Sequence, residues 1–295
     1  MKNLSLSIIF LFVFKFMSGQ TLVDSSLIDY YKSIIKVLAN DSLQGRPPSS
    51  VYEKKSAQFI FTKFNSLPSF KPRFQNFVFK HLDSTHTSKS LNVYYFLNNK
   101  SDSTIIIGAH YDHLGLGGPL SRSFLKKGVH NGADDNASGI ALLLGLASKY
   151  PSWKNKKYNY VFVAYSAHEI GLFGSASFEK YAAKKWKKIA LVVNFDMVGR
   201  MHPEEKWLKI IGVSNLPDQK LFFEQQTNGL RYRFEPDTLL NQLDTREFYK
   251  KGIPCISFTT GVHDDYHKMT DDENKINYIG IELVQQTIEA YLKHF

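Results

Sequence analysis

The chain contains a single cysteine, Cys255, among 295 residues. No disulfide can form within it, even in an oxidising compartment, so a cystine-stapled scaffold is excluded. A structural zinc cluster built on thiolates is excluded for the same reason. Stability must come from an apolar core, assisted at most by metal held on nitrogen and oxygen. The opening apolar stretch, Leu4 to Phe16, falls short of the ~20 residues that span a bilayer and is interrupted by Lys15. It follows Met1 and Lys2 and closes on Ser18, Gly19 and Gln20, the pattern of a secretory signal over residues 1–19. The expectation is export, periplasmic or secreted, with no stable membrane anchor. Acidic residues are in deficit, 27 against 37 Lys and Arg. The surplus is spread through segments such as 154–157 and 184–188, without interleaved stacking aromatics or a recognisable binding module, so no nucleic-acid partner is expected. Repeats, linkers and low-complexity tracts are missing too, which leaves residues 20–295 as one domain.

What is present is ordinary globular material, 43% hydrophobic and 22% charged. Apolar residues at helical spacing over 22–39 and 52–67 predict two opening helices, separated by a turn-rich stretch with Gly45, Pro47 and Pro48. Segments 70–80 and 91–98 read as strands. "TIIIGA" (104–109) is a continuous apolar run, the mark of a strand buried on both faces. Helices and strands then alternate: helix 138–150, strand 158–165, helix 174–186, strand 189–196, strand 207–212, helices 218–227 and 245–251, strand 255–258, and a last helix 275–295. The fold class is therefore α/β, a three-layer α/β/α sandwich around a mixed, mainly parallel central sheet.

Ligand sites in open α/β sheets form at the carboxyl ends of strands. Here the polar clusters fall there: "GAHYDHLG" (108–115), "SAHEIGLFGS" (166–175), "NFDMVGR" (194–200) and "HDDYHKMTDD" (263–272), with "NGADDNASGI" (131–140) opening a helix. Histidines and carboxylates dispersed over five segments suit a catalytic site with open coordination positions, and two metals ~3.5–4 Å apart can share one carboxylate. Imidazole ligands favour zinc over magnesium or calcium, with cobalt or manganese as alternatives.

These motifs, with "LANDSLQGR" (38–46), resemble the co-catalytic zinc peptidases that include bacterial leucyl aminopeptidase and aminopeptidase Y, relatives of glutamate carboxypeptidase, glutaminyl cyclase and the transferrin receptor. The resemblance implies a two-zinc site. His110 and Asp196 would hold one ion, Glu169 and His267 the other, and Asp134 would bridge them. It implies that Asp112 hydrogen-bonds the His110 imidazole, that a cis peptide follows the bridging residue at 134–135, and that the partner is a peptide hydrolysed from its amino end.

One position departs from the pattern. Where catalytic members carry a glutamate base before the zinc-binding glutamate, this chain has His168. Three readings follow: His168 serves as a weaker base, it turns inward as an additional ligand, or the chain is a metal-binding pseudoenzyme that recognises peptides without cutting them. Thr245 also stands where the family commonly has histidine. Tyr266, Arg200 and His263 flank ligand positions and are candidates to line the cleft.

Overall fold

The computed structural model describes residues 24–295 apart from 68–70, 81–85, 126, 151–155, 215 and 227. The expected secretory signal lies outside the described residues. Helix α1 (Ser25–Leu38) starts on Asp24, whose carboxylate accepts the amides of Ser26 and Leu27, and α2 (Val51–Asn65) starts on Ser50 in the same way. The remaining elements in chain order are β1 (Arg73–Lys80), β2 (Thr87–Leu97), β3 (Ser103–His110), α3 (Gly139–Lys149), β4 (Asn159–Tyr165), α4 (Phe173–Lys185), β5 (Lys188–Phe195), β6 (Trp207–Ile211), α5 (Pro217–Glu224), β7 (Arg231–Glu235), α6 (Arg246–Lys250), β8 (Cys255–Thr259) and α7 (Tyr278–His294).

The strands form one sheet in the order β1-β2-β4-β3-β5-β8-β6-β7. Its centre, β4-β3-β5-β8, is parallel, while β1, β2 and the β8-β6 pair are antiparallel. Side chains along β3 show why the run of isoleucines belongs here. Ile105 and Ile107 enter the core beneath α1, α3 and α7, and Ile106 enters the opposite core with Phe178, Trp186 and Phe248 from the α4 and α6 side. Both faces are covered, and the three-layer α/β/α expectation is borne out. The strand β7 was not foreseen. "RYRFE" has only two apolar residues and lies at the sheet edge, where one face needs no core partner.

The chain moves from β3 to β4 on one side and then across to β5 on the other, so β3 sits at the switch of strand order with its carboxyl end open. His110, Asp196 and the loops after β4 and β8 meet at that crevice. Three non-glycine residues beside it have left-handed backbone, Ala167, Met197 and His267 at φ 58°, 56° and 57°, an arrangement that surrounding packing must enforce.

Candidate metal centre

Four segments carry the polar cluster, and the turn before α3 completes it. His110 ends β3 and is fully buried. Its Nδ1 donates to the backbone carbonyl of Asp112 at 3.2 Å, which leaves a lone pair on Nε2. That Nε2 faces Asp135 Oδ1 at 3.3 Å and Asp196 Oδ1 at 3.6 Å. Across the crevice, His267 Nδ1 donates to the Leu120 carbonyl at 3.1 Å, and its Nε2 faces Asp135 Oδ2 and Glu169 Oε2, both at 3.3 Å.

The carboxylate between the two imidazoles therefore belongs to Asp135, not to the predicted Asp134. Asp134 points the other way, where its carboxylate accepts the Gly199 amide at 2.6 Å and meets His263 Nε2 at 3.1 Å. The cause lies in the turn Ala133–Ser138. Asp271 accepts the amides of both Asp134 and Asp135 and fixes which of the two neighbouring side chains enters the crevice. The cis peptide joins Asp135 to Asn136 rather than residues 134 and 135.

Asp112 departs from expectation as well. Its carboxylate stands 3.8 Å from His110 Nδ1, too far for a hydrogen bond, and accepts instead the amides of His168 (3.1 Å) and Glu169 (3.3 Å). It clamps the loop that presents both residues. Burial lifts this carboxyl to about 6, despite the opposing pull of His110 and His168.

His168 lies flat on His110, ring centroids 3.8 Å apart and planes 11° from parallel. Its Nδ1 meets Asp244 Oδ2 at 3.0 Å, and its Nε2 lies 4.0 Å from Asp196 Oδ2, facing the cavity. Burial and His110 pull its pKa down, but Asp244 and Asp196 outweigh them and raise it to about 9. Asp244 and His168 are 76 positions apart, so nothing local in the chain pairs them. His113 was also missed as a site residue: its Nδ1 is 2.8 Å from Glu169 Oε1. Burial and Asp135 push Glu169 upward, yet His113 and His267 prevail and bring it to about 2.

Tyr266 stacks on His267 at 3.9 Å and lines the cavity, with the Arg122 guanidinium 4.6 Å from its ring. Arg200 is tied to Asp265 at 2.9 Å and His263 to Asp134. Thr245 is buried and donates to the Leu240 carbonyl, so it serves the fold.

A cation fits this centre. The Nε2 atoms of His110 and His267 are buried and form no hydrogen bond, although each confronts carboxylate oxygens within 3.6 Å. Lone pairs facing lone pairs need a positive charge between them, and in its absence the carboxylates draw protons onto the rings. Burial opposes that charge on His110, yet Asp135 and Asp196 hold its pKa well above the usual value. Donor atoms of His110, His168 and Asp196 gather in one group and those of His113, Asp135 and Glu169 in another. Five residues, His110, Asp135, Glu169, Asp196 and His267, turn imidazole nitrogen or carboxylate oxygen toward this gap.

Residues 92–292 match the sequence profile of Peptidase family M28. Among curated relatives, "Aminopeptidase YwaD" of Bacillus subtilis is 28% identical over 202 residues, covering 64% of this chain and 40% of the relative. The alignments to the fungal probable leucine aminopeptidases reach only about a third of those proteins' length. Among solved structures, the Bacillus subtilis zinc aminopeptidase BSAP superposes with a TM-score of 0.72 at 15% identity, covering 90% of this chain and 95% of that one. Fimbriiglobus ruber glutaminyl cyclase superposes with 0.77 at 16% identity, covering 90% and 94%. At those identities the structural likeness shows the fold.

Proposed function

Because the chain belongs to peptidase family M28, we propose that it is an exported two-zinc metallopeptidase of the aminopeptidase type, removing the first residue of peptides. One observation carries this reading. Two buried imidazole lone pairs meet the two oxygens of one carboxylate, with no hydrogen bond to satisfy them. His110, Asp196 and Asp135 would hold one ion, and His267, Glu169 and Asp135 the other. When bound, a divalent cation supplies Lewis acidity toward a carbonyl and toward water, and its charge opposes protonation of neighbouring imidazoles.

The chain's own part in the reaction is proton handling and orientation. His168 Nε2 faces the cavity and takes the proton of the attacking water, then returns it to the departing amine. Asp244 accepts from Nδ1–H, which fixes the tautomer that leaves Nε2 free, and the flat stack on His110 prevents the ring from swinging out. Asp112 holds the amides of residues 168 and 169 in register with β3.

A second reading makes His168 a further ligand, since its ring nitrogen gathers with the donor atoms of His110 and Asp196. Hydrolysis of leucyl peptides, measured with metal content for wild type, His168→Ala and His168→Glu, separates the two. As a base, His168→Ala retains metal and loses roughly 10²- to 10⁴-fold in kcat. As a ligand, it loses metal stoichiometry. Three fully loaded and equally inert proteins would sink the hydrolase reading and leave a peptide-binding pseudoenzyme.

A further inference from the structure

Beyond the metal centre the cavity, about 330 Å³, continues along β8, β6 and β7. Strand alternation determines what it meets. On β6, Leu208 and Ile210 enter the core, so Lys209 and Ile211 stand on the cavity side, and Lys209 pairs in register with Thr259 of β8. Most of the neighbouring wall is apolar, formed by Met197, Ile211, Leu239, Leu243 and Val262. Among the described residues, the Lys209 ammonium has no hydrogen bond or ion pair. The other charge in this outer wall, Glu235, is already held by Arg233 Nε at 3.0 Å.

Gly261 is the second observation. Gly261 is in left-handed backbone at φ +100°, and a Cβ built there would fall 2.5 Å from Lys209 Nζ and 2.9 Å from its Cε, so the end of the lysine lies against bare backbone at the cavity. A cation beside apolar walls gains most from an anion that arrives with the ligand. The reach is suitable. Asp196 follows β5, and β8 and β6 are the next strands, which puts the Lys209 backbone roughly 10 Å from the metal end at two strand spacings.

We infer that Lys209 determines specificity in this cavity by receiving a substrate carboxylate. This inference rests on the peptidase reading of the same site. The carboxylate belongs either to an Asp or Glu side chain at the first residue or to the free carboxyl end of a short peptide, and both present the same anion.

Three substrates separate these sources: Glu-Ala-amide has only the side-chain acid, Leu-Ala free acid only the terminal one, and Leu-Ala-amide neither. In the wild type one acid-bearing substrate is favoured over Leu-Ala-amide, and Lys209→Met lowers its kcat/KM by about 10- to 100-fold, the worth of one charged hydrogen bond, while leaving Leu-Ala-amide unchanged. Lys209→Arg retains the preference. Calorimetric titration of glutamic acid α-amide against leucinamide, and of Leu-Ala free acid against its amide with the first peptide bond reduced to CH2–NH, reads the same discrimination without turnover. If the acid-bearing compounds show no advantage in either measurement, or if Lys209→Met leaves the advantage intact, the inference is overturned. A binding preference that Lys209→Met removes, with no cleavage of any peptide, upholds the role of Lys209 and removes the peptidase reading instead.

Discussion

Loading the metal-free protein with zinc should expel protons, and the number is set by the geometry of the centre. Without a cation, His267 is raised to about 10: burial and its cost are overcome by Asp135 and Glu169, each 3.3 Å from Nε2. His110 is raised well above its usual value by Asp135 and Asp196 against the same opposition from burial. Near pH 7.5 both rings therefore carry a proton on the atom that must bind metal. Zinc takes only the unprotonated nitrogen, so at least two protons leave when the centre fills, and a third comes from His168, raised to about 9 without the cation and unprotonated when it serves as base. Apparent affinity should rise about tenfold per pH unit for each proton displaced, about 100-fold per unit from the two donor rings alone while both are protonated. Calorimetric titration of zinc in buffers of different ionisation enthalpy counts the protons directly. The stability of the two forms should diverge in sign as well. In the metal-free protein the raised His267 pKa contributes stability that is complete below the ordinary value near 6.5 and is lost as pH rises through about 10. In the loaded protein, falling pH lets protons displace metal, so stability is lost toward acid. The gap in Tm between loaded and metal-free protein must widen from pH 6 to 9. A constant gap, or zinc uptake without proton release, would refute the assignment of these imidazole nitrogens as metal donors.

Two further outcomes follow from the buried contacts. Asp135→Asn should abolish tight metal binding, while Asp134→Asn, which still presents an acceptor to the Gly199 amide, should reduce affinity by no more than the 10- to 100-fold typical of a supporting residue. Metal analysis after dialysis checks this, and equal losses in both variants would contradict the placement of the bridge. Arg46 is fully buried and donates to the carbonyls of Leu38, Tyr111, Asn131 and Gly132, tying the opening loop to the end of β3 and to the turn that carries Asp135. Arg46→Met leaves those carbonyls without their donor and should cost roughly 3–5 kcal/mol in urea unfolding; a loss under about 1 kcal/mol would show that water replaces the guanidinium.

The sequence by itself determined the α/β/α architecture and the places where polar residues gather. Those signals are local: an isoleucine run buried on two faces, helix and strand periods in alternation, and histidines and acids at strand ends. It also determined that His168 stands beside Glu169, since that identity is readable without coordinates. Choosing between Asp134 and Asp135 was beyond it. Two identical neighbours differ only in which side chain the turn sends into the crevice, and Asp271, 136 positions away from Asp135, decides that through two backbone amides. The partner of His168 was hidden for the same reason, because Asp244 reaches it only after the sheet has formed. At Asp112 the fold puts two backbone amides where the resemblance implies an imidazole, because the loop after β4 comes closer to the carboxylate than the His110 ring does. Tertiary structure thus decided the pairings, since hydrogen-bond geometry depends on distances that chain folding alone sets. It also turned Lys209 from one of 37 dispersed cations into an ammonium on the cavity wall that has no partner among the described residues.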